Sequence, residues 1–144
     1  MDGSPYKKYT FYYGGNQFRS NYFFIELEKG NLVYDGPSIE YYDNGNPKSS
    51  FNYVMGEKGS TVRTYYREGA IETLQKETDL NTTIINFKKQ GKPEKKRITY
   101  KKSSKCQDIY FHTNGKPRLL ISYKNGKLND TLKVFSQDSV LLRE

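Results

Sequence analysis

The residues that could do chemistry are few and scattered. Cys106 is the one cysteine and His112 the one histidine of the 144-residue chain. A thiol becomes a nucleophile when an imidazole takes its proton and a third group orients that imidazole. Cys106 and His112 can approach across a hairpin, but no third group is placed to complete the set. A metal site needs several His, Cys or clustered carboxylates at ligand spacing, and one of each is too few. Asp43 and Glu68 lie beside turns, where acids are common for conformational reasons. The glycines fall at hairpin spacing, not in the strand–loop–helix setting of a phosphate loop. These residues predict neither an enzyme nor a cofactor. An enzyme built on Cys106 and His112 is the remote alternative.

Charge is the sharpest local signal. The chain carries a net +8, with nine basic residues and one acid, Glu94, between Asn86 and Lys105. The remainder has fifteen basic and fifteen acidic residues, so the whole excess sits in that one segment. Strand alternation there puts Arg97, Thr99 and Lys101 on one face, with Lys88 on the facing strand. Such a face keeps a sheet soluble and blunts its edges against aggregation. It also suits an acidic protein, an anionic lipid surface or nucleic acid. Tyr100 and Phe87 interleave the basic residues, but their parity places them on the opposite face from Arg97. That disfavours nucleic acid, whose single-stranded form needs stacking rings beside the charges.

The apolar material is unusual in kind. There are fourteen Tyr and eight Phe, no Trp, and a hydrophobic fraction of 34%. Tyr and Phe favour strands and carry large contact areas. The low total predicts a thin structure rather than a thick two-layer core. The pairs Tyr12-Tyr13, Tyr41-Tyr42 and Tyr65-Tyr66 put one ring on each face of a sheet. Cross-strand ring packing accounts for part of this. Outward rings make a rigid contact surface, and Tyr13, Tyr42 and Tyr66 are the candidates for it.

The elements that must position these groups repeat along the chain. Tyr41-Tyr42-Asp43-Asn44-Gly45-Asn46-Pro47-Lys48-Ser49 reads as strand, tight turn, strand. Gly45, Gly69, Gly91 and Gly115 follow one another at 24, 22 and 24 residues, and each has an aromatic four residues before it. The spacing continues to Ser139, and Tyr12 to Ser20 aligns upstream with Gly15-Asn16 at the turn. Six units follow: 12–35, 36–59, 60–81, 82–105, 106–129 and a truncated 130–144. Asn44-Gly45 and Asn114-Gly115 read as two-residue hairpin turns with φ > 0. Gly69 and Gly91 mark the corresponding turns between. Gly56 and Gly126 are candidate second turns. Period-two alternation, as in Ile98 and Tyr100 against Arg97, Thr99 and Lys101, marks strands with one covered face. Ala70 to Glu77 holds good helix formers, but the constant repeat spacing favours a strand there. Pro5 to Thr10 reads as an irregular lead-in or an edge strand. The expected fold is all-β: one domain of repeated hairpins in an elongated, twisted antiparallel meander with little or no helix.

The string Tyr41-Tyr42-x-Asn44-Gly45-x-Pro47-Lys48-Ser49, followed by Tyr53, Gly56 and Gly59, resembles the bacterial variant of the MORN repeat. Tyr110-Phe111-x-x-Asn114-Gly115-Lys116-Pro117, with Tyr123 and Asn125-Gly126-Lys127, matches it again. The resemblance extends over residues 12 to 142, with departures where Gln75 and Arg97 replace Phe51 and Ile121. It is the repeat of the YwqK-family antitoxins of toxin–antitoxin systems. The resemblance implies a β-hairpin array and an antitoxin or immunity-like neutraliser of a partner. It brings no catalytic residues. The expected function is therefore a non-enzymatic protein-binding module, with an anionic-surface binder using residues 86–105 as the alternative. No run of eighteen apolar residues predicts a transmembrane helix. The start Met1-Asp2-Gly3-Ser4-Pro5 lacks a signal-peptide pattern, which favours the cytoplasm and leaves periplasm or secretion open if a leader was removed.

Overall fold

A computed structural model describes residues 6–12, 18–28 and 30–144. Among them are thirteen β-strands and no helix. No helix is long and apolar enough to cross a membrane. Backbone contacts group the chain into two compact units, Met1–Ala70 and Ile71–Glu144.

Unit 1 holds β1 (Tyr6–Tyr12), β2 (Phe18–Glu28), β3 (Asn31–Tyr34), β4 (Gly36–Tyr41), β5 (Pro47–Val54) and β6 (Glu57–Tyr65). They pair antiparallel in the order β1-β2-β4-β5-β6, and β3 lies on the far half of the long β2. Unit 2 holds β7 (Ile71–Glu77), β8 (Asn81–Phe87), β9 (Pro93–Tyr100), β10 (Lys105–Phe111), β11 (Pro117–Lys124), β12 (Lys127–Phe135) and β13 (Leu141–Arg143) in sequential order. Each unit is thus an antiparallel meander of hairpins, the all-β architecture that the alternation and turn spacing predict. Of the lead-in, Tyr6–Tyr12 is the strand β1, paired along β2, and Pro5 lies outside the described residues. Ile71–Glu77 is a strand despite its helix-forming residues, because pairing with β8 fixes Thr73 opposite Asn86 and Glu77 opposite Thr82. Tertiary pairing overrides local propensity there. The turn at Gly15-Asn16 lies outside the described residues.

The turns differ from expectation in type. Gly45 has φ of 87°, but Asn44 is not among the residues with positive φ. The amide of Gly45 donates to the carbonyl of Tyr42 at 3.0 Å, and that of Tyr42 to the carbonyl of Asn46 at 2.8 Å. This is a three-residue loop: a tight turn over Asp43 and Asn44 closed by a left-handed residue at position 45. The same pair of bonds recurs around Gly69, Gly91, Gly115 and Ser139. Ser139 takes φ of 70°, so the truncated last unit keeps the turn without its glycine. Ladder register slips at Glu40/Tyr41, Asn86/Phe87, Tyr110/Phe111 and Val134/Phe135, as a bulge beside each such loop requires. The two-residue turns with both residues left-handed are the second turns instead. Met55 and Gly56 have φ of 50° and 87°, Asn125 and Gly126 of 53° and 74°.

Asparagine is used at positions 44 and 114 for its side chain, not its tolerance of φ > 0. Asn44 Oδ1 accepts from the amide of Asn46, and its Nδ2 donates to the carbonyl of Arg67 at 2.9 Å. Asn114 repeats both bonds, with Lys116 and Gln137. Each turn is therefore tied to the turn one repeat later. A Cβ at Gly45 or Gly115 would meet nothing within 4 Å. Gly45→Val and Gly115→Val should each cost about 1–3 kcal/mol through backbone conformation alone. Denaturant midpoints that move for neither variant would contradict this turn assignment.

Among the described residues no hydrophobic side chain is buried. The buried residues are Ser20, Ser38 and Asp108. Ser38 and Asp108 hold the same place in the repeat, seven residues before the turn glycines Gly45 and Gly115. That place is the floor of one sheet face in each unit.

Candidate functional site

One face of unit 1 is aromatic. Register places Tyr9 opposite Tyr22, Phe11 opposite Ser20 and Phe24 opposite Tyr34, all on the same side. Phe51 and Tyr53 of β5 join them. The rings form a continuous chain of contacts. Centroids lie 4.9 Å apart for Tyr9–Phe24, 4.4 Å for Phe24–Tyr34 and 4.9 Å for Tyr34–Tyr53. Tyr22 meets Phe11 and Tyr34 edge-on, and Phe51 meets Tyr53 edge-on. Lys58 caps Phe51 with its ammonium 4.1 Å from the centroid. These seven rings do not bury one another. Phe11 is 47% exposed, Tyr9 41% and Tyr34 39%. Polar groups set the margin: Tyr22 donates to Glu40 at 3.2 Å, and Ser49 donates to the other oxygen of Glu40 at 2.9 Å. Burial, and then the charge and hydrogen bond of Glu40, raise the pKa of Tyr22, so it stays a phenol.

Tyr42 and Tyr66 are not part of this face. Tyr13 lies outside the described residues. The hydroxyl of Tyr42 donates to the carbonyl of Tyr65 at 2.8 Å, one repeat on. Tyr66 begins the next turn, with its amide bonded to the carbonyl of Ala70. The pattern that marks six of the seven rings is the i, i+2 aromatic: Tyr9 and Phe11, Tyr22 and Phe24, Phe51 and Tyr53. Adjacent pairs such as Tyr41-Tyr42 draw attention to the turn ends instead.

His112 does the work of Tyr42. Its Nε2 lies 2.9 Å from the carbonyl oxygen of Phe135, again 23 residues on. A carbonyl only accepts, so Nε2 carries the proton. His112→Ala should lower stability by about 1 kcal/mol, the net value of one hydrogen bond. His112→Tyr, which restores the hydroxyl found at position 42, should recover most of it in the same denaturant titration. Cys106 stands at the opposite end of β10 from His112. Six strand residues separate their backbones by roughly 20 Å, so the fold does not bring thiol and imidazole together. Among the described residues no three metal-ligating side chains gather.

Lys95, Arg97 and Lys101, three of the nine basic residues between 86 and 105, pair with carboxylates. Arg97 faces Asp108 across the β9–β10 ladder. Its Nε and Nη2 donate to the two carboxylate oxygens, each at 2.6 Å. Lys95 reaches the second oxygen at 2.9 Å. Asp108 is 1% exposed. The hydrogen bond from Arg97 and then that from Lys95 hold its carboxyl below the usual range against the opposing effect of burial. The bond to Asp108 raises the pKa of Arg97. Lys101 pairs with Glu77 at 2.6 Å. Arg97 and Lys101 are therefore already neutralised by neighbouring strands, and the three cations Lys88, Arg97 and Lys101 do not form one open patch. The partners Asp108 and Glu77 fall just outside the segment and offset part of its excess charge. No protein-family model matches the chain, and no curated protein matches it.

Proposed function

We propose that the chain is a non-catalytic, MORN-like repeat module that binds another protein through the aromatic face of unit 1. The observation that carries this reading is the face itself: seven rings in mutual contact, three of them exposed and none of them buried in a core. Contiguous exposed apolar surface rimmed by polar groups is the usual mark of an interaction site. Tyrosine and phenylalanine are enriched in such contacts, since they offer large area at little entropic cost. Unit 1 holds eight basic and eight acidic residues. A partner docking there gains little from long-range attraction and must be held by contact. The MORN resemblance supplies the form such binding takes, neutralisation of the partner by an antitoxin or immunity-like protein. The flat anionic-surface reading is less well supported, because ion pairs occupy Arg97 and Lys101.

The test is to purify the tagged chain from its native cells and identify what travels with it. The parent is compared with a Phe11→Ser/Tyr34→Ser variant and with a Lys88→Gln/Arg97→Gln/Lys101→Gln variant. Loss of the partner from the aromatic variant alone is the expected result. Loss from the basic variant alone would sink the reading.

A further inference from the structure

Unit 2 contains a cleft of about 490 Å³ at the turn end of its sheet, lined among others by Lys88, Glu94, Tyr110, Phe111, His112 and Arg118. One departure from the repeat stands in its lining. Lys88 stands three residues before Gly91, the place that Tyr42 and His112 hold before Gly45 and Gly115. At those two positions a ring spans the gap to a main-chain carbonyl 23 residues on. The matching residue for Lys88 is Phe111, which lines the cleft. A flexible lysine leaves open the space that the rings close.

Unit 1 has a cavity of about 330 Å³ built from corresponding positions, with Arg19, Ser20, Glu40, Tyr41 and Lys48 in its lining. Ser20 pairs with Glu40 there as Lys95 pairs with Tyr110 in unit 2. Lys48 and Arg118 each follow the proline after the turn. Two of these positions differ in charge: Glu40 is matched by Tyr110, and Arg19 by Glu94. In unit 1 the carboxylate of Glu40 lines the cavity beside Arg19 and Lys48 and is bonded by Tyr22 and Ser49. In unit 2 that place is Tyr110, and Lys88 and Arg118 make no ion pair among the described residues. Lys95 is held by Asp108.

We infer that the unit 2 cleft receives a carboxylate side chain from an acidic segment of a protein partner, at Lys88 and Arg118. Lys88 and Arg118 bind the carboxylate as charge-assisted donors. Unit 2 carries sixteen basic and eight acidic residues, so its field draws an acidic segment in. Glu94 selects peptide over a simple anion. It repels the more highly charged phosphate more than a single carboxylate, and it accepts the backbone N–H groups that flank an acidic side chain in an extended peptide. A lipid surface is disfavoured, since the cations that would meet a flat membrane, Arg97 and Lys101, are paired. The site is independent of the aromatic face, and either can fail alone.

The probe is a fluorescent, end-capped peptide of alternating glutamate and glycine, with its glutamine counterpart as control, read by anisotropy on the full chain. Lys88→Gln and Arg118→Gln should each weaken glutamate-peptide binding about tenfold, the loss of one hydrogen-bond partner of a charged group. Lys101→Gln, which removes a cation already paired with Glu77, should leave it within about twofold, the scale of an exposed ion pair. Glu94→Gln should not tighten it, and the glutamine peptide should not bind. Circular dichroism verifies that each variant is folded. Three results would overturn the inference: equal loss in the Lys101 variant, tighter binding in the Glu94 variant, or displacement of the peptide by inorganic phosphate. Phosphatidylserine vesicles that bind better than the peptide, with the same dependence on Lys88 and Arg118, would assign the cleft to a membrane instead and overturn it as well.

Discussion

Replacing Phe11 and Tyr34 with serine should weaken binding of the co-purifying partner by about thirtyfold or more, the loss typical of truncating a central aromatic anchor. Tyr34 is the centre of the ring chain, touching Tyr22, Phe24 and Tyr53. Phe11 is the most exposed of the seven rings. The same substitutions remove cross-strand pairs that stabilise the sheet by about 0.2–1 kcal/mol each. A fall in the thermal midpoint is therefore expected alongside the loss of binding, and the measurement belongs well below the midpoint of the variant. Phe11→Ser alone separates the two effects, since Phe11 contacts one ring at 5.9 Å and lies on the edge strand β1. It should cost binding more than it costs stability. If it lowers stability while affinity stays at the parent value, the rings hold the sheet together and do nothing else.

The largest stability effect is expected at Asp108. Arg97→Ala strips the bidentate partner from a carboxylate that is 1% exposed, leaving Lys95 on one oxygen. Breaking a fully buried pair costs about 3–5 kcal/mol, but Arg97 is half exposed and water can enter where it stood, so about 2–3 kcal/mol is the expected loss. Asp108→Ala should cost less, because the stranded cations can rehydrate. Removing both partners should cost least. Phe51 and Ile121 occupy the place of Arg97 in other repeats, and Val62, Ile84 and Leu132 that of Asp108. Arg97→Ile with Asp108→Val should thus return to within about 1 kcal/mol of the parent, as apolar replacement of a whole ion pair generally does. A double variant no better than the sum of the singles would show that the pair is not the coupled unit described. Acid should expose the same group. The folded pKa of Asp108 lies below its unfolded value of about 4, so its contribution is present above that value and lost as pH falls through the folded pKa. Unfolding titrations below about pH 4 should then show the parent losing stability that the double variant does not have to lose.

Much of the hairpin frame is readable from residue spacing. The turn period reaches Ser139, where serine keeps the left-handed conformation that glycine takes elsewhere. Ile71–Glu77 is readable as strand only through that period, since its own residues favour a helix. Asn44 is open to misreading because two properties of asparagine point to the same place: tolerance of φ > 0 and a side chain that bonds nearby backbone. The structure uses the second. Arg97 misleads for another reason. Alternation gives the face a residue occupies, but only the register across the turn at Lys102-Ser103 shows that Asp108 stands opposite. The ring face of unit 1 depends on register in the same way. Tyr34 joins Phe24 and Tyr53 because the long β2 pairs with β3 at one end and β4 at the other. No local pattern announces that arrangement.

Hydrogen exchange on the chain, free and saturated with its co-purifying partner, tests the central claim most directly. A partner seated on the aromatic face should slow amide exchange in β1, β2, β3, β4 and β5, most strongly around Phe11, Tyr22 and Tyr34. Protection confined to unit 2, with the amides of those strands unchanged, would contradict it.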